Sequence, residues 1–216
     1  VEATAIRELL PEKMGEIIID VGVGTGMSLS VLRGFLGHFI GVDIAWQMIE
    51  KAIQKTKNFI KSHLVLADGE LLPFREGVAE LVVGITVLEF VPNPDHLLRE
   101  IFRCLIPSGK LLLGVLTSTN LWAMERRIRG LVRTDVFRYA RFSSPWQIRR
   151  LLHRMGFFDV HYRGSVYAPS FTPQSLLASF LKIDEKIGNR WFWRTVGAFL
   201  VIRAQRGLPI ISEVNR

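Results

Sequence analysis

Residues Glu16–Met27 read EIIIDVGVGTGM: three consecutive isoleucines, an aspartate, then glycines at 22, 24 and 26. A β-branched run that closes on alternate glycines predicts a buried strand, then a tight turn whose backbone approaches a bound group closely. The same texture continues along the chain. Strands are expected near 16–21, 38–43, 63–67, 80–86 and 110–117, and again near 157–163 and 196–204, with helices between them. Strand alternating with helix implies βαβ units on a parallel sheet covered on both faces. AELVVGIT and KLLLGVL are nearly all apolar, as buried central strands should be. NPDHLLREIFRCLIPSGK predicts a helix ending near Pro107 and Gly109, and Ser144 with Pro145 opens another. No internal repeat or low-complexity stretch appears, and the 216 residues fit one domain.

The glycine spacing constrains the ligand. A dinucleotide turn wants G-x-G-x-x-G, whereas here Met27 stands at the third glycine's place. Asp20 closes the strand, and a carboxylate there would repel a pyrophosphate. It would attract a ligand carrying an ammonium and a sulfonium. S-adenosylmethionine is such a ligand and contains no phosphate. Two further strand ends agree. HFIGVD closes on Asp43, placed to accept from ribose hydroxyls, and HLVLADG closes on Asp68 and Gly69, suited to an adenine edge. Open α/β sheets bind ligands at these carboxyl ends. Each aspartate taken alone reads equally as a helix N-cap.

With these residues in place, the chain resembles the class I S-adenosylmethionine-dependent methyltransferases, and is similar to the group that methylates ubiquinone and menaquinone precursors. The resemblance runs from about Glu16 to Leu116, through DVGVGTG, GVDIAWQMIEKA and DGELLPF to VLEFVPNPDHLLREIFRCLIPSGKL; MGFFDV and GAFLVIRAQR agree with its sixth and seventh strands. It implies an α/β fold: a Rossmann-like, seven-stranded, mostly parallel sheet with helices on both faces and an antiparallel last strand. It implies that Asp20 faces the methionine amine and that Gly22 and Gly24, with Gly26 closing the turn, line the methionyl and ribose portion. Asp43 takes the ribose, Ile44 and Met48 flank the adenine, Asp68 and Gly69 hold its edge, and Thr86 lies beneath the sulfur. Val23 replaces a small residue or Cys, and Ala45 a common Ser; neither removes a ligand. S-adenosylhomocysteine is the implied product.

Charge is lopsided. Residues 1–83 hold 8 basic and 11 acidic side chains, residues 84–216 hold 20 and 9, so the net +8 belongs to the second half. Ten arginines fall between Arg126 and Arg163 against Asp135 and Asp159. Such a patch suits an anionic substrate, RNA or a membrane surface, and also reads as solvated helix faces. No apolar run reaches the ~20 residues of a membrane span, which leaves peripheral contact open. The single Cys104 allows no internal disulfide, making a reducing cytoplasm the expectation, and no zinc spacing is present.

The chemistry is less legible. Glu89, three residues past Thr86, is placed to approach the methyl as a base, or to cap the segment before Pro92. His38 and His63 open their strands and read as structural; Cys104 reads as core. Residues 118–143 and 170–194, rich in Arg and aromatics, are expected to be cap-like insertions over the acceptor, with Tyr139 and Arg141 lining its pocket. No Asn- or Asp-Pro-Pro-aromatic tetrapeptide follows strand four, which reads TVLEFVPN, and no RNA-binding appendage is recognisable. The expected activity is therefore methyl transfer to a small molecule, acidic or amphiphilic. The alternatives are an RNA methyltransferase using the basic half and a catalytically silent donor-binding protein. Oligomeric state is not legible.

Overall fold

The computed structural model describes residues 2–32, 34–57, 61–117, 140–141, 143–165 and 198–208. They form helix α1 (Glu2–Leu9), then β1 (Ile17–Val21), β2 (His38–Asp43), α2 (Trp46–Thr56), β3 (Ser62–Leu66), β4 (Ala79–Ile85), α3 (Pro94–Cys104), β5 (Leu105–Leu116), α4 (Pro145–Arg154), β6 (Phe157–Ser165) and β7 (Phe199–Arg206). All seven strands join one sheet in the order β3-β2-β1-β4-β5-β7-β6. The first five are parallel, and β7 runs antiparallel to both β5 and β6. Of the expected cap-like insertions, all of 170–194 and all of 118–143 but residues 140, 141 and 143 lie outside the described residues, and Tyr139 with them. Among the described residues no helix is long and apolar enough to cross a membrane.

Alternation along each central strand builds two cores. Ile19, Val21, Val82, Leu111, Leu113 and Ile202 face α3 and α4 through Leu97, Ile101, Ile148 and Leu152. Their neighbours Ile18, Leu81, Val83, Leu112 and Val201 face α1 and α2 through Ile6, Ile49 and Ala52. Helices thus cover both faces. Two of the helices begin where side chains cap them. Asn93 accepts from the Asp95 and His96 amides at the start of α3, and Ser144 forms a capping box with Gln147 before Pro145. His38 and His63 stack side by side on adjacent strands, 5.9 Å apart.

Two expectations change. Where a helix was expected after β1, the described residues make only a 3-10 turn, Ser28–Ser30. Ser30 Oγ donates back to Met27 O at 2.8 Å, Ser28 turns its hydroxyl to the Asp20 carboxylate, and Gly34 and Gly37 follow, all poor helix interior residues. The stop at Pro107–Gly109 is instead a bulge inside β5. Leu105 pairs with Ala79 and pairing resumes at Lys110↔Leu81, with Ser108 at φ 64° in the excursion between.

The sheet is closely packed beside the site. A Cβ on Gly114 would sit 2.5 Å from Phe199 Cζ and 3.0 Å from Ile85 Cδ1. Gly114→Ala should therefore lower stability by about 1–3 kcal/mol through overpacking. A urea midpoint that falls at unchanged slope is the expected readout; an unchanged midpoint would mean the Phe199 ring yields freely.

Candidate functional site

Parallel strands β1, β2 and β3 end side by side, with Asp20↔Gly41 and Asp43↔Leu66 in register, so their following loops converge. A cleft of about 640 Å³ opens there, lined among others by Asp20, Gly22, Gly24, Asp43, Ile44, Met48, Asp68, Gly69 and Thr86. That brings together nine of the residues singled out in the sequence. Gly26 is not in the lining. Its amide donates to Val23 O at 2.8 Å and its φ of 75° closes the turn.

The glycine loop is fixed to β2. The Gly22 and Val23 amides both donate to Val42 O, at 2.8 and 2.9 Å, and the Gly24 amide donates to Asp43 Oδ2 at 2.8 Å. Gly22 is required twice over: its φ is 71°, and a Cβ would lie 2.7 Å from Val87 Cγ2. Asp43 Oδ1 accepts from the Ala45 amide at 2.9 Å, so this carboxylate also fixes the turn that leads into α2 while belonging to the cleft lining. Asp68 Oδ1 accepts from the Glu70 amide at 2.9 Å. Its loop is strapped to α3: the Leu72 amide donates to Glu100 Oε2 at 2.9 Å, and Arg103 donates to Leu72 O at 3.0 Å and Phe74 O at 2.6 Å. Thr86 has φ 52°, a rare value for a β-branched residue, and its hydroxyl donates to Ile85 O.

Asp20 is the electrostatic centre. It is only 1% exposed, Ser28 Oγ donates to its Oδ2, and its Oδ1 finds no hydrogen-bond partner. Burial pushes its carboxyl up to about 7, partly offset by the Ser28 hydroxyl, and the nearby Asp43 charge raises it further. A buried acceptor without a donor is costly, and Asp20 is among the residues that line a ligand-sized cavity. These residues fit S-adenosylmethionine, the donor of the resembled family. Asp20 offers an acceptor to a cation, the glycines leave room for close backbone approach, and among the described residues of the β1 loop no α-helix N-terminus awaits a pyrophosphate. Sequence reasoning missed Ser28, the partner of Asp20, and Glu2, which reaches the cleft wall from α1. Neither sits in a spacing pattern that would mark it.

Glu89 does not line the cleft. It is buried, its Oε1 accepts from the Leu116 amide at the end of β5, and its own carbonyl accepts from the Arg141 amide at 2.8 Å. It thus caps a backbone amide in the seam between β4 and β5. Arg141 is exposed and donates through Nη1 to Pro92 O at 3.0 Å, bracing the loop whose Phe90, Val91 and Pro92 form one cleft wall. Cys104 is buried in α3, and desolvation pushes its thiol up to about 11, which removes it as a nucleophile. Among the described residues no cluster of His, Cys, Asp or Glu is arranged to hold a metal ion.

A parallel sheet with one antiparallel hairpin at its edge, and a glycine turn beside three strand-end aspartates, define the class I methyltransferase architecture. Residues 19–113 match the family model described as "Methyltransferase domain", and the fold is that of the class I S-adenosylmethionine-dependent methyltransferases. Malonyl-[acyl-carrier protein] O-methyltransferase of Marinomonas sp. (strain MWYL1) is 26% identical over 125 residues, 57% of this chain and 46% of that one. Sterol 4-C-methyltransferase strm-1 of Caenorhabditis elegans is 30% identical over 201 residues, 92% of this chain and 56% of that one. The chain thus spans about half the length of these two relatives. A solved Thermotoga maritima S-adenosylmethionine-dependent methyltransferase, described as a possible histamine N-methyltransferase, superimposes with TM-score 0.72 at 22% identity, covering 95% of this chain and 87% of that one.

The Asp20 carboxyl makes ligand-free stability depend on pH. Its folded value, about 7, lies above the ordinary 3.8, so its contribution is fully present below pH ~4 and is lost as pH rises through ~7. Between pH 5 and 8 the ligand-free protein should lose roughly 2–4 kcal/mol more than Asp20→Asn does. Parallel denaturation midpoints for the two proteins across that range would contradict this reading of Asp20.

Proposed function

We propose that the chain transfers a methyl group from S-adenosylmethionine to a small-molecule acceptor of acidic or amphiphilic character. The carrying observation is the buried Asp20 carboxylate, which belongs to the cleft lining beside the glycine turn and has one oxygen without a hydrogen-bond partner. In this reading Asp20 receives the cationic methionine end, and Gly22 and Gly24 let the backbone lie against it. Asp43, already oriented by two amides, keeps its outer lone pairs for the ribose hydroxyls. Ile44 and Met48 hold the adenine faces, Asp68 and Gly69 its edge, and Thr86 supports the sulfur side. The donor, when bound, supplies a methyl carbon already activated by its sulfonium. What the chain contributes is alignment and exclusion of water, through the apolar wall of Val87, Phe90 and Val91. We assign Glu89 and Arg141 to positioning that wall, since both bond to backbone around it. No side chain is assigned as a base.

The sterol relative and the amphiphilic texture of the second half support a lipid-like or acidic acceptor. RNA is the second reading, favoured by the basic half and by a probable tRNA methyltransferase 9B of Homo sapiens, 30% identical over 145 residues, 65% of this chain and 28% of that one. Cys104, the single cysteine and buried, suits a reducing compartment, and we place the protein in the cytoplasm.

Calorimetric titration should show binding of S-adenosylmethionine and S-adenosylhomocysteine and none of NAD; the reverse would sink the reading. Asp43→Ala should weaken donor binding roughly ten- to hundred-fold, the loss of charge-assisted bonds worth ~1.5–3 kcal/mol. Unchanged affinity would leave Asp43 only the role of fixing the turn before α2. Donor labelled on its methyl, incubated with fractionated small molecules and RNA, identifies the acceptor class by where the label goes.

A further inference from the structure

The donor cleft has a neighbour. A groove of about 450 Å³ opens between α4 and the start of α3, with Leu88, Pro94, Ile148 and Leu151 as its apolar part. Asp95, Gln147, Arg150 and Arg154 stand around it. A single segment of chain separates the two hollows. Val87 lines the cleft and Leu88 the groove; Pro92 lines the cleft and Pro94 the groove. Consecutive Cα atoms are about 3.8 Å apart and those two residues apart at most about 7 Å, so the ridge is one chain thick at both ends. Arg141 lies on this ridge, its amide bonded to Glu89 O and its guanidinium to Pro92 O.

The two sides differ in charge. Among the described residues the cleft lining holds four carboxyl groups, Glu2, Asp20, Asp43 and Asp68, and no lysine or arginine. They suit the cationic end of the donor and repel an anion. Across the ridge the sign reverses. Helix α4, PWQIRRLLHR, carries Arg149, Arg150, His153 and Arg154 and no acid. Arg154 Nη2 donates to Asp95 Oδ1 at 3.0 Å, with the two side chains 58% and 41% exposed, so this pair is weak and readily exchanged. Arg150 is exposed and has no hydrogen-bond or ion-pair partner among the described residues. The first amides of α3 do not supply the charge, because the Asn93 side chain already takes those of Asp95 and His96.

We propose that this groove holds the anionic group of the methyl acceptor, a carboxylate or phosphate on an apolar body, while the atom to be methylated crosses the ridge into the donor cleft. Arg150 is the free cation that receives the anion, and Arg154 exchanges Asp95 for it, with the planar guanidinium fork matching either oxyanion. Leu88, Pro94, Ile148 and Leu151 take the apolar body. An acid whose charge is repelled by the cleft and whose reacting end must enter it needs two sites a short step apart, and the 87–95 segment sets them side by side. The inference deepens the proposed function and rests on it for the reaction, whereas anion binding in the groove does not depend on it.

Titration tests the groove without knowledge of the acceptor. The full chain, its cleft filled with saturating S-adenosylhomocysteine, is titrated with octyl phosphate, octanoate and octyltrimethylammonium, all kept below micelle formation, and with a single-stranded RNA oligonucleotide. The expected result is that an octyl anion binds alongside S-adenosylhomocysteine and that the octyl cation binds at least about tenfold more weakly; the tighter of the two anions identifies the acidic group. Arg150→Gln should weaken anion binding about tenfold or more, the loss of a charge-assisted contact. Its S-adenosylhomocysteine affinity and thermal midpoint should stay at the parent's values. Arg154→Gln, which loses the second guanidinium, should act in the same direction and serves if the first variant folds poorly. Four outcomes would overturn the proposal: no anion binding by a protein that still binds S-adenosylhomocysteine, affinity unchanged in both variants, displacement of S-adenosylhomocysteine by the octyl anions, or tighter binding of the RNA that these substitutions abolish. Failure of S-adenosylhomocysteine binding in the unmodified chain would instead count against the proposed function.

Discussion

The site depends on one buried carboxylate. Asp20 sits near the end of a strand buried from Ile18 to Val21, with one oxygen engaged by Ser28 and the other unmatched. Burial raises its carboxyl to about 7, so the ligand-free protein holds it partly protonated near neutrality. A group so placed destabilises the ionised free state, and that cost is relieved by a cationic ligand. The rest of the cleft follows from giving such a ligand access. The turn after Asp20 must bring backbone close, hence glycine at positive φ, and the next strand must anchor that turn, hence the two amides donating to Val42 O.

The same constraint links the site to the sheet. Asp43 serves the glycine loop, the start of α2 and the cleft wall with one carboxylate. The loop bearing Asp68 and Gly69 is held from behind by Glu100 and Arg103 of α3, and Gly69 has Val21 Cγ1 2.9 Å from where a Cβ would stand. Removing any of these contacts would move two ligand-facing segments at once. Precision at the cleft is thus a property of strand ends and helix faces, with loops kept short between them.

Much of this was legible because it is local. The strands are buried runs whose limits fall where apolar residues give way to Asp or Gly, so Ile17–Val21, His38–Asp43 and Ala79–Ile85 lie within a residue of expectation. Capping chemistry marked α3 and α4. The missing helix after β1 reflects serines and glycines whose backbone preferences outweigh a moderately apolar pattern. The bulge in β5 was invisible because Pro107 and Gly109 signal a break without saying that pairing begins before it, at Leu105. Ser28 and Glu2 were missed for a different reason: their roles come from tertiary approach, eight residues and a whole helix away from the groups they serve. Glu89 shows the limit most clearly. Its position in the chain reads two ways, as a group approaching the methyl and as a cap before Pro92, and in the fold its Oε1 accepts from the Leu116 amide, a partner that no local spacing points to.

The most direct test of the account is the proton balance of donor binding. Calorimetric titration of S-adenosylmethionine at pH 6, in buffers of different ionisation enthalpy, measures protons exchanged with solvent. If the donor's cationic end settles on Asp20, binding should release about one proton that Asp20→Asn does not release. Equal proton release, or none, in both proteins would contradict the claim that Asp20 organises the site.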